Sequence, residues 1–141
     1  HMPEVVQEIG KLNNDVKIKL TFLTHLIPIT RGILVSVYAG INPSKLEGKS
    51  NTVDLIRDLY RDYYKDEQFV TVTNQPPTTK QTLGTNQCLI YPTIDTRNNR
   101  LIVIACIDNL VKGAAGQAVQ NANILFGLPE ETGLEDLALY P

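Results

Sequence analysis

The sequence has two cysteines and no tryptophan among 141 residues. Cys88 and Cys106 both lie inside apolar, strand-like runs, where they read as reduced, buried thiols rather than as a disulfide framework. No run approaches the ~20 apolar residues that a membrane-spanning helix requires; the longest, such as LIVIACI ending at Ile107, fall far short. No lysine or arginine block is interleaved with aromatics, and 13 basic against 15 acidic residues leave a net charge of -2. A nucleic-acid partner therefore has no electrostatic footprint. Two histidines far apart, without clustered cysteines or acids, make no metal-ligand set. No internal repeat, low-complexity tract or long linker interrupts the chain, and no secretory signal opens it. The expectation is one domain over 1–141, cytoplasmic, with no membrane segment.

What is present is periodic. MPEVVQEIGKL places Pro3 and Glu4 in a first helical turn and Val5, Val6, Ile9 and Leu12 in a stripe, with Gly10 as the terminator. DVKIKLTFLT alternates, with Val16, Ile18, Leu20 and Phe22 on one face, and predicts a half-buried strand over 15–24. ILVSVYAG, rich in β-branched residues, predicts a second strand. From Asn51 to Tyr64 the apolar positions Val53, Leu55, Ile56, Leu59, Tyr60 and Tyr63 recur at helical spacing, with charges between them. QFVTVTN reads as a short strand ended by Pro76 and Pro77. QCLIYPTIDTRNNRLIVIACI reads as two strands joined by a turn at Thr96–Asn99, where Asn98 and Asn99 tolerate the positive φ of a hairpin turn. The order α, β, β, α, β, β, β, α predicts an α+β fold. Its sheet should be mixed but mainly antiparallel, with the helices largely on one face.

The run IDNLVKGAAGQAVQNANILFG, starting at Ile107, is unusual in carrying several amides and few bulky groups on a helix that directly follows a strand. Gly113, Ala114, Ala115, Gly116 and Ala118 let another backbone or a ligand come close. Free N–H groups at the helix start and Lys112 suit an anion. GAAGQ lacks both the Lys-Ser/Thr ending of a P-loop and the spacing of a dinucleotide fingerprint. Tight packing and ligand contact both fit the small residues, and the amides Gln117, Gln120 and Asn121 weigh against a purely apolar neighbour.

Four segments, HMPE, FLTHLIPITRGIL, LGTNQC and IDNLVKGAAGQAVQNANILFGLPEETGL, resemble in order and spacing the C-terminal part of the N-acetyl-gamma-glutamyl-phosphate reductase family. The resemblance spans nearly the whole chain. It implies the α+β fold of the C-terminal domain of glyceraldehyde-3-phosphate dehydrogenase. It further implies the substrate-binding and oligomerising part of an NADP-dependent reductase that converts N-acetyl-glutamyl phosphate to the semialdehyde in arginine biosynthesis. In that family a nucleotide-binding domain and a nucleophilic cysteine in a PGCYPT-like segment lie upstream. Neither Cys88 nor Cys106 occupies that position, so the chain alone is expected to be inactive.

The same resemblance suggests roles for individual residues. His1 and Glu4 match the end of the family's HRHxPE motif and are the expected catalytic residues, His1 because an imidazole exchanges protons near neutral pH and Glu4 because a carboxylate one helical turn away orients it. The alternatives are a cloning remnant for His1-Met2 and a helix-dipole partner for Glu4. His25 and Arg31 flank HLIPITRG, and a guanidinium can grip a substrate carboxylate or phosphate in two-pronged fashion. Thr24 stands where the family commonly has proline, which loosens that turn. Thr85 and Asn86 are expected to bind substrate, with turn capping as the other reading. Asn109, Lys112 and Gly113 are expected to face the nicotinamide end of NADP, and no metal is expected. Two other functions compete with this reading: a related reductase acting on an aminoadipyl phosphate in lysine biosynthesis, and a non-enzymatic oligomerisation or binding module.

Overall fold

A computed structural model describes residues 1–12, 19–42, 44 and 52–139. Among the described residues, three helices and four strands follow in the order α1 (Met2–Leu12), β1 (Ile33–Gly40), α2 (Thr52–Tyr63), β2 (Val70–Val72), β3 (Cys88–Asp95), β4 (Arg100–Ile107) and α3 (Gly116–Phe126). A 3-10 turn at Thr79–Thr82 precedes β3, and a π-helical turn at Val111–Ala115 leads into α3.

The strands form one sheet in the order β1-β4-β3-β2. β4 lies antiparallel to both β1 and β3, and β2 runs parallel to β3. The fold is thus α+β with a mixed, mainly antiparallel sheet, as the periodicity predicts. The β3–β4 hairpin turns at Thr96–Asn99, where Asn99 adopts φ 48°. Asp95 accepts hydrogen bonds there from the Arg97 N–H at 3.0 Å and Asn98 Nδ2 at 2.7 Å, an Asx turn that satisfies backbone locally.

Register assigns the faces, because directly opposed residues of antiparallel strands point the same way. Val35, Ile90, Pro92, Val103 and Ala105 share one face, and Leu34, Leu89, Tyr91, Ile104 and Cys106 the other. Ile90, Pro92, Val103 and Cys106 are buried, with Phe69 and Leu134 completing the core. α2 rests against β2 and β3, and its Arg57 guanidinium stacks 5.4 Å from the centre of the Tyr91 ring. Cys106 is sealed by the loop after β2, its Sγ 3.6 Å from the Pro77 carbonyl oxygen.

Two sequence expectations fail. Within the strand predicted over 15–24, Lys19–Thr24 joins no ladder, while residues 15–18 lie outside the described residues. Alternation defines two faces but supplies no pairing edge, and β1 is bonded to β4 and ends the sheet. Gly10 does not terminate α1, which continues to Leu12. Glycine weakens a helix by about 1 kcal/mol relative to alanine but, unlike proline, keeps the N–H and the helical dihedrals.

Candidate functional site

The chain leaves β4 at Ile107 and immediately buries a carboxylate. Asp108 is fully inaccessible. Its Oδ1 accepts the N–H groups of Leu110 at 2.8 Å and Val111 at 3.0 Å, which start the next helical turn. Its Oδ2 accepts the Gly84 N–H at 2.7 Å. Arg31 closes the set as a two-pronged partner, Nη2 to Oδ2 at 2.6 Å and Nε to Oδ1 at 3.3 Å. Burial by itself would push this carboxyl up, but the hydrogen bonds from Arg31, Gly84, Leu110 and Val111 outweigh it and hold Asp108 at about 2.

Asn109 makes a second tie across the same gap, its Oδ1 accepting the Gly32 N–H at 2.7 Å. Gly32 has φ 104° and abuts Thr79, so a side chain there would meet both a strained backbone and the Thr79 Cβ at 2.6 Å.

One turn further on, a polar cluster is centred on Gln120, which is 8% exposed. Its Oε1 accepts Asn86 Nδ2 at 2.9 Å and Lys112 Nζ at 2.7 Å, and its Nε2 donates to the Glu130 carboxylate. Asn123 Nδ2 bonds the carbonyls of Glu130 and Thr132, each at 3.0 Å. Lys112 Nζ also lies 5.3 Å from the centre of the Phe69 ring. Burial lowers the Lys112 pKa, while Cys88, Glu130 and Glu67 pull it back up. The amides that made this helix conspicuous in the sequence are thus divided. Gln120 and Asn123 are internal struts, whereas Gln117 and Asn121 pair with each other on the outside at 3.1 Å.

Asn86 is 1% exposed, and its Oδ1 has no hydrogen-bond partner among the described residues. That oxygen packs against Gly116, where an added Cβ would also stand 2.7 Å from Val111 Cγ1 and 2.8 Å from the Val111 carbonyl. Gly84, Asn86, Val111, Ala115, Gly116 and Val119, with Gly133, Leu134 and Asp136, line a hollow of about 200 Å³. Thr85 donates its hydroxyl to the Thr82 carbonyl at 2.9 Å and accepts the Gln87 N–H at 3.2 Å, which fits turn capping.

The sequence-predicted residues therefore fall into two groups. Arg31, Thr85, Asn86, Asn109, Lys112 and Gly113 belong to segments tied together by Asp108, Asn109 and Gln120. His1, Glu4 and His25 are exposed. His1 packs edge-on against Phe22 with ring centres 6.4 Å apart, and the Glu4 carboxylate lies 3.8 Å from the His1 amino group. Asp108 and Gln120 were missed as organising residues. Their sequence signals were an acid directly after an apolar strand and a glutamine at a position due to be buried. Among the described residues no group of three or more histidine, cysteine or acidic side chains could hold a metal ion, and no helix is long and apolar enough to cross a membrane.

Comparison with known proteins adds a lineage to this geometry. Residues 1–109 match the family model described as semialdehyde dehydrogenase, dimerisation domain. The chain is 52% identical over 141 residues to an N-acetyl-gamma-glutamyl-phosphate reductase of Dehalococcoides mccartyi, covering 100% of this chain and 40% of that protein. It is 48% identical over 143 residues to the reductase of Pelotomaculum thermopropionicum, covering 39% of that protein. It is 45% identical over 143 residues to the one of a Thermoanaerobacter species, covering 40%. The chain thus spans about two fifths of the length of the curated relatives it matches.

Proposed function

Because the chain belongs to the semialdehyde dehydrogenase dimerisation-domain family, we propose that it is the substrate-binding and subunit-contacting part of an NADP-dependent N-acetyl-gamma-glutamyl-phosphate reductase of arginine biosynthesis, working in the cytoplasm. The observation that carries this reading is identity of 52% along the entire chain to a protein of that name. The match spans the segments the site is built from.

In this reading the nucleophilic thiolate and most of the dinucleotide site lie in polypeptide beyond this chain. Bound there, the nicotinamide supplies hydride. This chain would receive the acyl phosphate. Asp108 engages Nε and Nη2 of Arg31, so Nη1 is the guanidinium nitrogen left to meet a substrate carboxylate or phosphate. Asn86 and Gly116 border the hollow of about 200 Å³, and the small residues from Gly113 to Gly116 suit close approach of a flat ring. Lys112 is held inward by Gln120, so its contribution to the cofactor would be to position the turn that carries Asn109 and Gly113. His1, with Glu4 one helical turn away, would exchange the proton, and His25 would contact the substrate.

The family description also supports homo-oligomerisation. Among the described residues β1 ends the sheet with apolar side chains uncovered on both faces, Val35 at 44% exposure on one and Tyr38 at 63% on the other. A second copy would cover this surface.

The test is NADPH oxidation by the complete reductase carrying this chain, started with N-acetyl-glutamyl phosphate. Turnover that yields the semialdehyde supports the reading. A complete enzyme that binds neither NADPH nor the acyl phosphate removes it.

A further inference from the structure

Asp108 lines neither the hollow of about 200 Å³ bordered by Asn86 and Gly116 nor the one bordered by Phe69 and Thr85, yet it collects five donors from three separate stretches of chain. A residue that only capped the following turn would need the two local N–H groups on Oδ1 and nothing more. Here Oδ2 is spent entirely on distant partners, the Gly84 N–H and Arg31 Nη2. Those contacts set the Arg31 turn, the Gly84–Asn86 turn and the Asn109–Gly113 turn at fixed distances from one another. The Gly32 N–H on Asn109 reinforces the same junction.

We infer that Asp108 is a positioning residue for the reaction proposed above, a clamp that holds the substrate-side Arg31 and Asn86 in register with the cofactor-side turn at Asn109–Gly113 while touching neither ligand. The inference rests on the function proposed above. The chemistry of the clamp demands a carboxylate. Two oxygens must each accept more than one donor, and no donor is needed in return. An asparagine at this position keeps the shape but turns an NH2 group toward either the Gly84 N–H and Arg31 Nη2 or the local N–H groups, setting donor against donor.

The test compares Asp108→Asn and Arg31→Gln with the wild type in the complete reductase. The readouts are kcat, KM for the acyl phosphate and KM for NADPH, each normalised to folded enzyme, alongside thermal melting. The expected result for Asp108→Asn is a fall in kcat/KM of about tenfold or more, the scale of a hydrogen bond to a charged group, with both KM values raised. Arg31→Gln, whose side chain is one-third exposed and less needed for folding, should likewise raise both KM values. It serves as the test if Asp108→Asn does not fold. The double variant should be little worse than the more damaged single one, because both break the same clamp. Asp108→Asn enzyme that melts lower but keeps wild-type kcat and KM overturns the inference and leaves a purely structural carboxylate. So does Arg31→Gln enzyme in which the acyl-phosphate KM alone rises, since that describes an arginine acting on substrate and not a clamp. Wild-type enzyme that turns over no acyl phosphate removes the underlying function as well, so the two failures are distinguishable.

Discussion

Replacing Gly116 with alanine puts the packing of the α3 start to a quantitative test. Gly116 has φ -64° and ψ -39°, an ordinary helical backbone on which alanine is favoured over glycine by about 1 kcal/mol. The surroundings oppose it. The new methyl would collide with Asn86 Oδ1 and stand 2.7 Å from Val111 Cγ1 and 2.8 Å from the Val111 carbonyl. The carbonyl accepts the Gly116 N–H, and Asn86 is held by Gln120, so neither can withdraw without losing a buried bond. Overpacking of this kind costs about 1–3 kcal/mol, and releasing the Asn86–Gln120 bond adds about 1–3 kcal/mol. After the helical gain is subtracted, Gly116→Ala should destabilise by about 1–5 kcal/mol, visible in urea unfolding as a lowered midpoint. Gly113→Ala is the matched control. Its nearest neighbour would be the Asp108 carbonyl at 3.3 Å and the others lie at ordinary contact distances, so it should change stability by less than about 1 kcal/mol. Equal midpoints for the two variants, or a stabilised Gly116→Ala, would refute the packing argument.

Asp108 should confer acid-dependent stability. Its carboxyl sits at about 2 in the folded protein against 3.8 ordinarily, so the contribution is complete above the ordinary value and disappears as pH falls toward 2. It amounts to about 2 kcal/mol, and Asp108→Asn should remove that slope from unfolding curves collected between pH 5 and pH 2. Arg31→Lys should lower kcat/KM of the complete enzyme by about 1–3 kcal/mol, because an ammonium cannot reproduce the two-pronged contact; unchanged kinetics would take Arg31 out of the site. The chain on its own should reduce no acyl phosphate, and NADPH consumption by the purified 141-residue polypeptide would contradict the division of labour proposed here. Burial, with a smaller push from Cys88, raises the Cys106 thiol to about 11, and burial also raises Cys88. Alkylation of Cys106 in the native protein at pH 8 should therefore be negligible beside that in denaturant, a comparison read by mass spectrometry.

Much of this protein was written in short stretches of sequence. The helical spacing from Val53 to Tyr63, the β-branched run of β1 and the Asn98-Asn99 turn each state their conformation within a few residues. The reason is that dihedral preference and side-chain periodicity are local properties, and α2, β1 and the β3–β4 hairpin appear where they were expected. Alternation over 15–24 was equally regular, yet Lys19–Thr24 forms no strand, because a ladder needs a partner that no local pattern names. Folding alone decided the chemistry of the junction. The partners of Asp108 include a glycine 24 positions away and an arginine 77 positions away. Nothing in the neighbourhood of either announces that a buried charge will draw them together. Burial made those contacts necessary: once the end of β4 was enclosed, a carboxylate there could remain charged only by collecting every donor within reach.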